Sequence, residues 1–138
     1  MKNLDSVIKV AIADDHALFR TGVKTSLSSR KEIQMIAEAE NGMQLMNLLK
    51  HMKPDVVLLD IHMPIMDGYH TTKAIRERLG TPGAYIVAVS AMSDAASREA
   101  AFKAGVNDFL AKPWNTSDIR RILQKVCAIP EQARVTAA

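Results

Sequence analysis

The sequence predicts a doubly wound α/β domain, a five-stranded parallel sheet in the order 2-1-3-4-5 with five helices on its two faces. Three observations carry this. Val56, Val57, Leu58 and Leu59 form an apolar run with no polar side, as in a strand buried on both faces of a parallel sheet. Such runs alternate with helical patterns, Leu45, Leu48, Leu49 and Met52 in one place and Ile119, Ile122, Leu123 and Val126 in another, each spaced i, i+3, i+4, i+7. Right-handed crossovers between parallel strands then place helices on both faces.

In chain order, residues 7–13 read as a first strand, followed by a helix whose stripe is Phe19, Val23 and Leu27. Residues 33–39 form a second strand, and Asn41-Gly42 turns into the helix carrying Leu45 to Met52, which Pro54 stops. After the 56–59 strand, Met63-Pro64 and Asp67-Gly68 punctuate a loop, and a third helix runs from Gly68 through Thr72, Ile75 and Leu79 to Gly80-Thr81-Pro82-Gly83. Residues 85–89 are a fourth strand ending at Ser90. A fourth helix, capped by Ser93 or Asp94, carries the stripe Ala96, Ala100 and Ala104 and closes at Gly105. Residues 106–110 make the fifth strand, and Asn115 or Thr116 caps the last helix. Residues 1–128 are assigned to one domain and 129–138 to a tail or the start of a linker.

The chain's 138 residues suffice for a single core and not for a second module. A composition of 48% hydrophobic and 24% charged residues excludes disordered and fibrous classes. The net charge of +3 comes without a Lys/Arg run, and Arg120, Arg121 and Lys125 read as a solvated helix face, so no direct nucleic-acid binding is expected. Cys127 has no partner for a disulfide within the chain, and no segment approaches a membrane span; the expected location is the cytoplasm, with no membrane association. The eight methionines are scattered and read as gap fillers, with Met63, Met66 and Met92 near the site described next.

In the order 2-1-3-4-5 the winding reverses between strands 1 and 3, and ligands bind where the carboxyl ends of those strands part. Strand 1 ends in Asp14-Asp15 and strand 3 in Asp60. Converging carboxylates need a cation among them, and oxygen-only ligands suit a hard ion; Mg²⁺ takes few carboxylates and keeps sites for water or phosphate, with Mn²⁺ as the alternative. Ser90 and Lys112, ending the neighbouring strands, supply a hydroxyl and a point charge suited to phosphoryl oxygens. A carboxylate can itself accept a phosphoryl group, and Asp60 is the best placed to do so, leaving Asp14 and Asp15 to hold the metal.

With these residues in place, the chain resembles a receiver domain of two-component response regulators from residue 7 to about 128. The signs are Asp14-Asp15, Asp60 followed by Met63-Pro64 and Asp67-Gly68, Ser90-Ala91, and Phe109 three residues before Lys112-Pro113. Each is weak alone; in this order and spacing they are specific. The resemblance implies a flavodoxin-like, receiver-like fold and a signalling switch rather than an enzyme acting on outside substrates. It implies phosphoryl transfer to Asp60 from a sensor histidine kinase or a histidine phosphotransfer protein. Mg²⁺ would be held by Asp15, Asp60 and the backbone carbonyl of His62, with Asp14 acting through water. Ser90 and Lys112 would hold the phosphoryl group, Ser90 and Phe109 would form the switch, Lys112-Pro113 would be a cis peptide, and His62 and Met92 would tune dephosphorylation. Implied partners further include a downstream output domain or protein and a second copy met through the face of helix 4, strand 5 and helix 5. The run from Asp14 to Arg20 resembles receivers that precede helix-turn-helix output domains, which leaves both a stand-alone receiver and part of a longer regulator open.

Plainer readings compete. Asp15 alone reads as a helix cap, Lys112 alone as a surface lysine, Trp114 as packing and Asp67 as a loop-shaping residue. His16 and His62 point more weakly to a transition ion; His51 and His70 read as surface residues. A haloacid-dehalogenase-type phosphohydrolase would need an acid two residues after Asp60, where His62 stands. A flavodoxin-like electron carrier would need a hydroxyl- and glycine-rich phosphate loop where Asp14-Asp15 would repel the phosphate. An interaction-only pseudo-receiver would not need the full acid set.

Overall fold

In the computed structural model, which describes residues 7–79, 84–91, 94–112 and 114–127, the apolar runs become the strands of one sheet. The elements are β1 (Ile8–Ala13), α1 (Ala17–Ser28), β2 (Ile33–Ala39), α2 (Gly42–Leu48), β3 (Val56–Asp60), α3 (Gly68–Leu79), β4 (Tyr85–Ser90), α4 (Ala95–Ala104), β5 (Asp108–Ala111) and α5 (Thr116–Cys127). All neighbouring strands pair in parallel, in the order β2-β1-β3-β4-β5. This is the predicted doubly wound sheet. Every residue of β3 is buried, as an apolar run with no polar side requires.

Alternate residues of each strand feed opposite layers. Val57, Leu59, Ile86, Ala88 and Phe109 pack with Leu45, Met46, Ile75 and Ala101 of α2, α3 and α4. Val56, Leu58, Val87, Val89 and Leu110 pack with Val23, Leu27, Ile119, Ile122, Leu123 and Val126 of α1 and α5. The predicted stripes of α1 and α5 are thus the ones that face the sheet, with Phe19 only half-buried at the start of α1.

Three expectations are corrected. α2 ends at Leu48, short of the predicted Pro54 stop, because the amides of Lys50 and His51 donate to Asn47 O and Leu48 O, a tighter three-residue winding that closes the helix. β5 begins at Asp108 rather than at Val106, whose N–H donates to Ala101 O in the helix-ending motif around Gly105 at φ 118°. On α4 the buried residues are Ala101 and Ala104, while Ala96 and Ala100 are exposed. With alanines at 95, 96, 100, 101 and 104, apolarity alone does not select a face. Asp94 caps this helix, accepting from Ser97 N; Ser93, the other candidate, lies outside the described residues, as do the tail at 129–138 and the Gly80 to Gly83 stop.

Two local devices position the site. Gly68 admits the first turn of α3 against the end of β3: a Cβ there would stand 2.6 Å from Asp60 O and 2.7 Å from Ile61 Cα. Between them, Met66 N–H donates to Pro64 O at 2.7 Å around Ile65, whose φ of 70° is costly for a β-branched residue. Arg76 of α3 ties the opposite end of the domain, donating to Gly105 O at 2.9 Å, Ala84 O at 2.9 Å and Asn107 Oδ1 at 2.5 Å.

Since Ile65 is 81% exposed, little burial is lost on removing its side chain. Ile65→Gly is expected to raise unfolding stability by roughly 0.5–1 kcal/mol, strain relief outweighing added chain entropy. A urea midpoint below that of the parent chain would show that the loop carries no such strain.

Candidate functional site

The parallel sheet sends the carboxyl ends of β1 and β3 to one edge, and the strand register places Ala13 beside Leu59, so Asp14 and Asp60 emerge side by side. Both are buried, at 1% and 4% exposure, while Asp15 lies on the rim. Asp15 does not cap α1; the N-cap position belongs to His16, whose side chain makes no capping bond. The helix-cap reading of Asp15 therefore falls away. Ligand atoms of Asp14, Asp15, His16 and Asp60 all lie within 4.8 Å of one another.

Lys112, at the end of β5, reaches across this edge. Its Nζ stands 2.6 Å from Asp14 Oδ2 and 3.6 Å from Asp60 Oδ2. These are charge contacts without hydrogen-bond alignment, so both buried oxygens lack a hydrogen-bond donor among the described residues. The other oxygens are held: Asp14 Oδ1 accepts from His16 N at 2.8 Å and meets His16 Nδ1 at 3.0 Å, and Asp60 Oδ1 accepts from His62 N at 3.2 Å. Burial, then repulsion from Asp14, pushes the Asp60 carboxyl up to about 6, against the pull of Lys112 and the His62 N–H.

Among the described residues, two buried carboxylate oxygens without a hydrogen-bond donor and a third carboxylate on the rim fit a hard divalent ion. Asp14, Asp15 and Asp60 are the residues that would hold it. Among the described residues Asp67 is not part of this cluster; its Oδ1 accepts from His70 N at 2.9 Å at the start of α3. Ser90 is buried at the end of β4, and Phe109 lies buried in the layer between the sheet and α4, with the Arg98 guanidinium 5.1 Å from its ring centroid. The side chain of His62 is exposed. Met92 and Pro113 lie outside the described residues.

Two participants escaped the sequence reading. Arg20 donates from Nη1 to the backbone carbonyl of Asp14 at 2.6 Å and pairs with Glu38 at 3.2 Å, fixing the acidic turn from α1 and β2. Phe19 presents its ring to Lys112 Nζ at 4.2 Å from the centroid. Phe19 was legible only as an apolar helix residue, since its partner Lys112 lies 93 positions away in the chain; Arg20 stood in a recognisable motif that assigns it no contact.

An acidic pocket at the switch point of a 2-1-3-4-5 sheet, faced by a lysine from β5, defines the receiver class of signalling domain. The chain belongs to the response regulator receiver domain family, whose model matches residues 10–124. It is 34% identical over 119 residues to the chemotaxis protein CheY of Listeria monocytogenes, covering 86% of this chain and 98% of that one. It is 35% identical over 118 residues to a protein-glutamate methylesterase/protein-glutamine glutaminase of Methanococcoides burtonii, spanning 33% of that protein's length. Among solved structures, the receiver domain of a NarL response regulator from Mycobacterium tuberculosis superposes with a TM-score of 0.81 at 31% identity, over 91% of this chain and 99% of that one. The receiver domain of a Pseudomonas aeruginosa sensor histidine kinase, determined with a magnesium ion coordinated in its active-site cleft, gives a TM-score of 0.79 at 27% identity, over 90% and 100%. No helix among the described residues is long and apolar enough to cross a membrane.

A raised pKa for Asp60 means that the native state keeps a proton which the unfolded chain has released between the ordinary value of 3.8 and about 6. Stability is therefore lost as pH rises through that window. In metal-free protein, Asp60→Asn is expected to stabilise the fold at pH 7.5 by on the order of 2 kcal/mol and to lose that advantage below pH 4. Thermal unfolding of both chains across pH 3.5–8 measures the difference; a gap that does not change with pH would place its cause outside Asp60 ionisation.

Proposed function

We propose that this domain accepts a phosphoryl group on Asp60 from a phosphohistidine of a sensor kinase or a histidine phosphotransfer protein, in a Mg²⁺-dependent reaction, and signals through the resulting change of conformation. The observation that carries the reading is the Asp60 carboxylate itself, buried at a strand end with one oxygen oriented by the His62 N–H and the other left without a donor beside Lys112. A carboxylate oxygen attacks phosphorus, the P–N bond to the donor imidazole breaks as the P–O bond forms, and the departing nitrogen takes a proton.

Asp15, Asp60 and the His62 carbonyl, with Asp14 acting through water, would hold Mg²⁺, which when bound would supply charge neutralisation for the acids and for incoming phosphoryl oxygens. Lys112 brings the second positive charge, able to swing from Asp14 toward the phosphoryl group because its contacts with the two carboxylates lack hydrogen-bond alignment. Ser90 offers its hydroxyl to another phosphoryl oxygen. Leu18 at the start of α1 and Ile65 in the loop after β3 are exposed and suit an apolar partner surface around the donor histidine.

Output follows from α4. Its buried residues are alanines, which anchor it weakly, and its Arg98 guanidinium lies over the ring of Phe109 on β5. Phosphorylation draws Ser90 toward the new oxygens, relaxes the packing around Phe109 and biases α4, β5 and α5 toward a second arrangement. That face, with Phe102 exposed on α4, serves an output domain, a downstream protein or a second copy.

Acetyl phosphate with Mg²⁺ should add one phosphoryl mass to the intact chain, and Asp60→Asn should reduce that gain at least a hundredfold. Equal labelling of the variant overturns Asp60 as acceptor. With beryllofluoride, which mimics the phosphoryl group, hydrogen exchange should change along residues 94–112 and the start of α5, and Ser90→Ala or Phe109→Ala should suppress the distal part. Changes confined to the Asp14 and Asp60 loops would leave α4 out of the output.

A further inference from the structure

We propose that Phe19 is a positioning residue for phosphoryl acceptance: the face of its ring sets where the Lys112 ammonium waits. The inference rests on the reading of Asp60 as acceptor and adds a residue to it. Lys112 ends a flexible four-carbon stem, and a point charge on such a stem needs walls to have a place. Among the described residues, it meets Asp14 Oδ2 at 2.6 Å, Asp60 Oδ2 at 3.6 Å and the Phe19 ring centroid at 4.2 Å. The distance to the ring is well inside the range at which an aromatic face attracts a cation.

The three attractions respond differently to the reaction. Both carboxylates lose their pull on Lys112 when a divalent ion settles among them, and Asp60 changes charge and shape when it is phosphorylated. The ring is neutral, so neither event cancels its attraction, and its share of what holds the ammonium grows as the carboxylates' share falls. It is also held from outside the acidic cluster: Phe19 sits on α1, and Trp114, on the segment that follows Lys112, packs against it with ring centroids 6.2 Å apart at 44°. Lys112 is only 14% exposed, so water screens the contact little. Phe19 thereby links the helix that begins beside the acids to the strand end that delivers the lysine. It touches no reacting atom.

Phe19 is half-buried and borders an open groove with Leu18, Gly22, Trp114 and Ile119. Its electronic character can therefore be altered with little change of fit. Incorporating 4-fluoro-, 3,5-difluoro- and 3,4,5-trifluorophenylalanine at position 19 drains the negative face of the ring stepwise at nearly constant shape. Beryllofluoride affinity in saturating Mg²⁺, measured by calorimetry, is expected to fall with each step, by about tenfold over the series. Phe19→Leu should match the trifluorinated protein and Phe19→Tyr should restore the parent affinity. In metal-free protein, ring current from Phe19 should shift the Lys112 ε-methylene protons upfield, and that shift should vanish in Phe19→Leu while the unfolding temperature shows the chain still folded. A flat fluorination series, or ε-methylene protons at their ordinary position, overturns the inference while leaving Asp60 as acceptor if the parent chain binds beryllofluoride. A parent chain that binds none overturns both.

Discussion

Two carboxylates buried side by side at the ends of β1 and β3 form the constraint to which the rest of the molecule answers. A parallel sheet has no choice about this placement: with all strands running one way, every strand end arrives at the same edge, and the crossovers that cover the faces leave that edge open. Charge gathered there without donors would destabilise the fold, and the surrounding structure reads as a set of responses to it. Lys112 faces the pair, the amides of His16 and His62 each satisfy one oxygen, and Arg20 steadies the turn through the Asp14 carbonyl. The oxygens left over suit a hard cation.

Sequence and structure agree where burial is two-sided or strongly one-sided. β3 was legible because four apolar residues in a row leave no polar face, and α5 because Ile119, Ile122, Leu123 and Val126 admit one orientation only. The edge acids were legible through topology, since strand order alone brings residues 14, 15 and 60 together. α4 was not, because several registers of an alanine-rich helix look equally apolar and the true face is chosen by what lies beneath it, Phe109 and the sheet. The early end of α2 and the late start of β5 depend on which amide finds which carbonyl in a closing turn, and composition does not encode that. Contacts such as Phe19 with Lys112 or Arg76 with Gly105 join distant segments and leave no local trace.

The two helical layers are anchored unequally. α1 and α5 bury branched and long apolar side chains against their side of the sheet, and α5 adds Arg121 and Lys125, which meet Asp108 at 3.2 and 3.0 Å. α4, in the opposite layer, buries two alanines. A rearrangement propagated from the acidic edge would meet least resistance at α4.

The Arg76 hub gives α4 a mechanical character. One guanidinium grips Gly105 O at the carboxyl end of the helix and reaches Ala84 O and Asn107 Oδ1 at the entries to β4 and β5. At the other end the Asp94 cap is internal to the helix and opposes no swing, and the Arg98 guanidinium over the Phe109 ring is the contact that a swing would have to loosen. A ten-residue helix of about 15 Å fixed at one end is a lever. A displacement pivoting there would grow from nothing at the fulcrum to a maximum at the amino-terminal tip, so a surface touching residues 94–98 would register the full stroke, and one touching the Gly105 end almost none.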